Sequence, residues 1–204
     1  MKRIELVSDS FLIHDFIENN NSFDILKNEV QWGNFTINDK ILSRTGCFQG
    51  IPTKIYGKNV YPWLRCPSIE HQHIYDYTPM VNKIKHMLPS YGLDNVNNIA
   101  KIQYYDNGDV IIHSHSDKIL DLMEYQPIYI FRCGAERTVK LTHKITKKVL
   151  TFSMPNNSMF VLGWKTNLEY SHGVIENPEI KELDINPLFV QKNKVEAGDV
   201  RIIT

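Results

Sequence analysis

Residues 128–162, IYIFRCGAERTVKLTHKITKKVLTFSMPNNSMFVL, decide the architecture. Four runs rich in β-branched and aromatic residues stand out: Ile128–Cys133, Thr138–His143, Val149–Met154 and Ser158–Leu162. Gly134, the pair Lys147 and Lys148, and the trio Pro155, Asn156 and Asn157 separate them. Short apolar runs punctuated by turn formers read as strands joined by tight connections. Toward the N-terminus, Ile99–Tyr105 and Val110–His115 have the same texture, with Asn107 and Gly108 between them as a turn.

Helical spacing appears only earlier in the chain. Ser10–Glu18 carries Phe11, Leu12, Phe16 and Ile17, a short helical pattern broken by Asn19, Asn20 and Asn21. Ser22 is the expected N-cap of a second run through Phe23, Leu26, Val30 and Trp32 that Gly33 ends. Pro79–Leu88 places Met80, Val81, Ile84, Met87 and Leu88 on one side of a helix, with proline at its first turn and Pro89 after it. Residues 34–62 read as short extended pieces. The pattern predicts a mainly β fold with helices (α+β), a double sheet backed by N-terminal helices. Glu176–Lys194, polar with two prolines, reads as a long loop, and Val200–Ile203 as a closing strand.

Composition narrows the class. A chain of 204 residues with 42% hydrophobic and 23% charged residues is expected to form one soluble domain with a real core. No apolar run reaches membrane-spanning length, and the opening MKRIELVSDSF lacks the apolar stretch of a signal peptide. Cys47, Cys66 and Cys133 are odd in number and widely spaced, which argues against a disulfide framework or a zinc site. A reducing, intracellular location is therefore expected, with no obligate protein partner implied. Lys plus Arg and Asp plus Glu are each 23, and this neutrality argues against nucleic-acid binding through overall charge while leaving room for a local basic patch.

The chemistry-bearing residues are His115-Ser116-Asp117 and, 55 positions beyond Asp117, His172. Residues two apart on a strand share a face, so His115 and Asp117 can grip one ion from one element. Two imidazoles and a carboxylate suit Fe(II) and leave adjacent positions open, whereas a structural zinc site fills all four, mostly with cysteine. The bland reading stands beside this one: an HxD pair arises often by chance, and single histidines are mostly surface or satisfied core residues. His113, also two residues from His115, competes for the same face.

Surrounding motifs, in register, carry a resemblance. Gln103 and Tyr105, Asn107-Gly108, His115-Ser116-Asp117-Lys118, Pro127-Ile128, Gly134 with Arg137, Met154 through Gly163, and Tyr170-Ser171-His172-Gly173-Val174 follow one another in an order that resembles the AlkB-like family of Fe(II)/2-oxoglutarate-dependent dioxygenases. The resemblance is dense from Ile99 to Val174 and loose before residue 78. It implies a double-stranded β-helix (jelly roll) with N-terminal helices packed on one sheet. In that division, 1–98 forms the helices and a substrate-lid region, and 99–204 the core of one domain. It also implies His115, Asp117 and His172 as iron ligands, Arg201 as the anchor of the distal carboxylate of 2-oxoglutarate, and Tyr105 and Gln103 as co-substrate contacts. Gln103 stands where the family usually has Asn. The implied reaction is oxidative demethylation or dealkylation of a nucleic-acid base, single-stranded or flipped out to reach the iron.

Three departures qualify the expectation. The family's second arginine, six residues past the first, would fall after Thr204. Ile119 stands where base-demethylating members often carry an acid, with Asp121 as a substitute. The segment between His172 and Arg201 is long. These leave open the same oxygenase chemistry on a protein or small-molecule substrate, or a non-catalytic binding module. In the lid region, Tyr56, Lys58, Tyr61, Trp63 and Arg65 interleave rings with cations, as a nucleic-acid surface or as an aromatic core with solvated cations. His71 and His73 read as a surface pair. Arg137 is read as a pocket-lining residue or a strand-edge cap.

Overall fold

The computed structural model describes residues 2–18, 21–37, 40–51, 53–55, 58–60, 74–95, 98–105, 111–119, 122–175 and 182–189. In chain order the strands are β1 (Lys2–Glu5), β2 (Phe11–His14), β3 (Gly33–Ile37), β4 (Lys40–Gly50), β5 (Thr53–Ile55), β6 (Lys58–Val60), β7 (Ile74–Tyr75), β8 (Ile99–Tyr105), β9 (Ile112–His115), β10 (Ile128–Gly134), β11 (Arg137–His143), β12 (Val149–Met154), β13 (Ser158–Leu162), β14 (Tyr170–Val174) and β15 (Glu182–Phe189). The helices are α1 (Ser22–Glu29), α2 (Pro79–Met87), which continues into a 3-10 turn at Leu88–Tyr91, and α3 (Trp164–Glu169).

The fold is mainly β with few helices. A large sheet has the order β1-β2-β13-β10-β15-β8-β4-β3, with β7 also paired to β4, and a smaller sheet runs β12-β11-β14-β9. Among the described residues, every pairing is antiparallel except β4 with β7. The central strands of the large sheet are apolar on both faces because both faces are covered. On β10, Tyr129, Phe131 and Cys133 join a core that includes Leu26 of α1 and Val81 and Ile84 of α2. Ile128 and Ile130 point the other way, into a second core with Val139 and Leu141 of β11 and Met154 of β12. β13 splits likewise, Met159 and Val161 to the first core and Phe160 and Leu162 to the second. The two sheets thus share an interior, while α1 and α2 cover the outer face of the large one.

Three expectations are corrected. Phe11–His14 is a strand, not part of a helix: β2 inserts beside β13, where pairing satisfies its backbone and both of its faces are buried. Asn21 rather than Ser22 is the N-cap of α1, and that helix stops at Glu29, before Trp32; Val30 is already extended and Gly33 opens β3. Glu176–Lys194 is not simply a loop. Residues 182–189 form β15, between β10 and β8 in the large sheet. Pro187 has no N–H to give a ladder, and the register slips between Ile185 and Leu188 against both neighbours. Such a proline makes a central strand look like a loop in sequence. Val200–Ile203 lies outside the described residues.

Candidate metal centre

β9 and β14 lie side by side in the smaller sheet with His115 directly opposite His172. Their rings are 4.4 Å apart between centroids. Across this pair, His172 to Val174 on β14 spans the distance that Ile112 to His115 spans on β9. One extra residue on β9 is a bulge. It sets both Ile112 and His115 against the interior cleft, although their separation alone would put them on opposite faces. His113 is exposed and does not join the cluster, so the bulge resolves its competition with His115. Gly173 makes room for the bulge: a Cβ there would meet the Ile112 carbonyl at 2.6 Å.

Asp117 is not on the strand, as the pleat argument expected; β9 ends at His115. Hydrogen bonds from the loop hold it instead. Asn167 Oδ1 accepts the Asp117 N–H at 2.9 Å, and Asn167 Nδ2 donates to the Asp117 carbonyl at 3.0 Å. Ser116 Oγ donates to the Tyr170 carbonyl at 2.8 Å. Asn167 sits on α3, whose first turn is capped from 156 residues away: Asp9 Oδ2 accepts from Lys165 N–H at 2.8 Å and Oδ1 from Thr166 N–H at 2.9 Å. Ser10 Oγ accepts the Gly163 N–H.

The outcome is a converging donor set. One ligand-type atom from each of His115, Asp117 and His172 lies within 4.8 Å of the others. Asp117 Oδ1 is 3.7 Å from His115 Nε2, and Oδ2 is 3.6 Å from His172 Nε2. Both distances exceed hydrogen-bond length, yet both fit donors placed around one ion at roughly 2.1 Å each. His115 Nδ1 lies 2.8 Å from the His113 carbonyl. A proton on Nδ1 makes that contact and leaves Nε2 a lone pair facing Asp117. Burial grades across the site, with side-chain exposure of 8% for His172, 25% for Asp117 and 45% for His115.

Electrostatics prepare these groups for a cation. Burial drives the pKa of His172 down to about 4, against the pull of Asp117, so its ring is neutral at physiological pH. Burial also pushes the Asp117 carboxyl upward, but His115 and His172 outweigh it and hold the group at about 2. Asp117 beside it raises His115. Asp117 Oδ2 and His172 Nδ1 are buried without a hydrogen-bond partner. A carboxylate oxygen left unpaired inside a protein is costly, and a metal ion offsets that cost. The residues present fit a divalent ion bound by three protein ligands on one side.

A cleft of about 380 Å3, including its mouth, opens beside the two histidines. The larger sheet contributes Ile130, Arg132 and Phe160, and the smaller sheet contributes Ile112, Val139, Met154 and Val174. Gln103 and Tyr105 are buried on β8, and Gln103 Oε1 accepts from Arg44 Nε at 2.7 Å. Neither is among the residues that line this cleft. Arg137 is buried and donates Nη2 to the Ile175 carbonyl at 2.9 Å, tying down the end of β14, which is the strand-cap role. Ile119 is exposed. Arg201, Asp121, Tyr56, Tyr61, Trp63, Arg65, His71 and His73 lie outside the described residues, and so does the side chain of Lys58.

The sequence reading missed Asn167, Asp9 and Arg132. Asn167 and Asp9 act through partners 50 and 156 positions away, and no local pattern marks such contacts. Arg132 did carry a signal: a cation inside an apolar strand run, IYIFRC.

No family model and no curated protein matches the chain. Among solved structures it is similar to that of OsALKBH1, an AlkB homologue, with a TM-score of 0.62 and 15% sequence identity over 90% of this chain and 99% of that one. At this identity the likeness shows a shared fold. Among the described residues, no helix is long and apolar enough to cross a membrane.

Proposed function

We propose that this chain is an Fe(II)- and 2-oxoglutarate-dependent dioxygenase that removes methyl or alkyl groups from nucleic-acid bases. The observation that carries the reading is the convergence of His115, Asp117 and His172, an open-sided two-histidine, one-carboxylate set, on a fold shared with an AlkB homologue. In this reading the two sheets wind as a double-stranded β-helix, and the chain is one domain whose N-terminal half covers the substrate. When bound, iron and 2-oxoglutarate supply the oxidation of a substrate C–H bond, with succinate and CO2 leaving.

The protein's part is to bind, orient and exclude water. His172 is a neutral imidazole at working pH and coordinates without first losing a proton. Asp117 is ionised and brings one negative charge. Asn167 holds the Asp117 backbone so that the carboxylate faces the histidines rather than solvent. His115, the most exposed of the three, stands at the open side. The apolar lining from Ile112, Ile130, Val139, Met154 and Phe160 keeps water from the cleft. Gln103, Tyr105 and Arg201 are assigned to the co-substrate by the sequence resemblance.

The test measures succinate and formaldehyde release with Fe(II), 2-oxoglutarate and a panel of methylated oligonucleotides. Asp117→Ala should keep the fold, lose iron and abolish turnover. Succinate formation at the wild-type rate in that variant would overturn the ligand assignment. Turnover of 2-oxoglutarate without oligonucleotide dependence, and no oligonucleotide affinity at low salt, would move the substrate to the protein or small-molecule class.

A further inference from the structure

α3 has six residues, Trp164–Glu169, too few to hold a helix by its own hydrogen bonds. The last four carbonyls of any helix lack partners inside it. In α3 the first of them, Thr166, accepts from Tyr170 N–H. Lys144, at the tip of the β11–β12 hairpin, meets the other three. Its ammonium donates to the Asn167 carbonyl at 3.1 Å and to the Leu168 carbonyl at 2.6 Å, and its backbone N–H donates to the Glu169 carbonyl at 2.9 Å. A cation at this end also complements the helix dipole.

A surface lysine ordinarily carries its charge on a flexible, solvated stem. This one starts from a fixed base. His143 N–H donates to the Lys148 carbonyl, and Lys147 N–H donates to the His143 carbonyl. His143 Nδ1 accepts from Ile145 N–H at 3.2 Å and Thr146 N–H at 3.1 Å. The His143 ring meets Tyr170 edge-on, 4.9 Å between centroids, which ties the hairpin to the start of β14. Asn167, whose carbonyl Lys144 holds, is the residue whose amide grips both backbone polar groups of Asp117. Moving the end of α3 moves that amide, and with it the carboxylate between the two histidines.

We propose that Lys144 is a positioning residue for the metal centre: it clamps the C-terminal end of α3 so that Asn167 aims the Asp117 carboxylate at the ion. The inference rests on the metal-binding reading of His115, Asp117 and His172 and deepens it. Lys144 acts through Asn167. Asp9 fixes where α3 begins, and Lys144 fixes where it ends.

The experiment uses the full chain and reads two quantities: Mn(II) affinity by calorimetry and the electron paramagnetic resonance spectrum of the bound ion. Lys144→Met keeps the stem and removes the ammonium donors. It should weaken Mn(II) about 3- to 10-fold and change the spectrum, as loss of support behind a ligand does. Lys144→Arg, which keeps a charged donor, should restore most of both. Because Lys144 works through Asn167, adding Lys144→Met to Asn167→Ala should cost no further Mn(II) affinity. A purely structural lysine would lower the melting temperature in both backgrounds and leave Mn(II) affinity alone. Wild-type affinity and spectrum in folded Lys144→Met would overturn the proposal. So would a double variant weaker than Asn167→Ala by the full factor of the single one. If Lys144→Met does not fold, Lys144→Gln, with a neutral donor, is held to the same outcomes. Wild-type protein that binds no Mn(II) would overturn the metal centre and the role of Lys144 with it, a result distinct from failure of Lys144 alone.

Discussion

Asn167 grips Asp117 by both of its backbone polar groups, accepting from the N–H at 2.9 Å and donating to the carbonyl at 3.0 Å. The carboxylate that completes the donor set is thus aimed by an amide 50 positions away. Asn167→Ala removes both bonds and leaves two polar groups beside a buried site. It should lower stability by about 1–3 kcal/mol and weaken metal affinity about 10- to 100-fold. Thermal melts and Mn(II) titration check this; unchanged metal affinity would mean that Asp117 keeps its place without the Asn167 amide.

The same logic reaches Asp9. Its carboxylate accepts from Lys165 and Thr166 at the start of α3, the helix that carries Asn167. A helix of this length has little stability of its own, so the cap decides whether it forms. Asp9→Ala should cost about 1–2 kcal/mol and should also weaken Mn(II) binding, though less than Asn167→Ala. A loss of stability with full metal affinity would show that α3 and the metal loop are uncoupled.

Gly173 lies under the β9 bulge, with the Ile112 carbonyl 2.6 Å from where a Cβ would sit and Ser114 N at 3.1 Å. Both obstacles are backbone, so neither can swing away. Gly173→Ala should push β9 from β14 and part His115 from His172. A loss of about 2–4 kcal/mol and of metal binding is expected, read by denaturant unfolding and Mn(II) titration.

Metal-free stability should depend on pH through His172. Its folded pKa of about 4 lies below its ordinary 6.5. Between those values the unfolded chain binds the extra proton, so stability rises with pH, is full above 6.5 and is lost as pH falls toward 4. Asp117, held at about 2 against an ordinary 3.8, adds a loss of the same sign below that range. His115, raised by Asp117, works the other way, its share fading as pH climbs through its folded value. The melting temperature should therefore fall more steeply from pH 7 to pH 4.5 in wild type than in His172→Asn. Equal slopes would mean that His172 is not buried as a neutral ring.

Arg201→Ala should raise the 2-oxoglutarate requirement strongly in steady-state succinate release. An unchanged requirement would place the anchor elsewhere.

The sequence by itself determined the strand content from Ile99 to Leu162, the amphipathic helix at Pro79 and the residue types of the donor set. Those features depend on local periodicity, and a strand buried on both faces shows as an unbroken apolar run such as 128–133. Tertiary structure decided the rest, because it depends on partners far along the chain. β2 is a strand because β13 and β1 lie beside it, whatever its own spacing suggests. β15 survives Pro187 because a bulge absorbs the missing donor. His115 reaches the cleft and His113 does not because β9 carries one residue more than β14 between their matched positions. Asp117 joins the two histidines through Asn167 and Asp9, whose hydrogen bonds exist only once the chain ends of α3 and β2 have met.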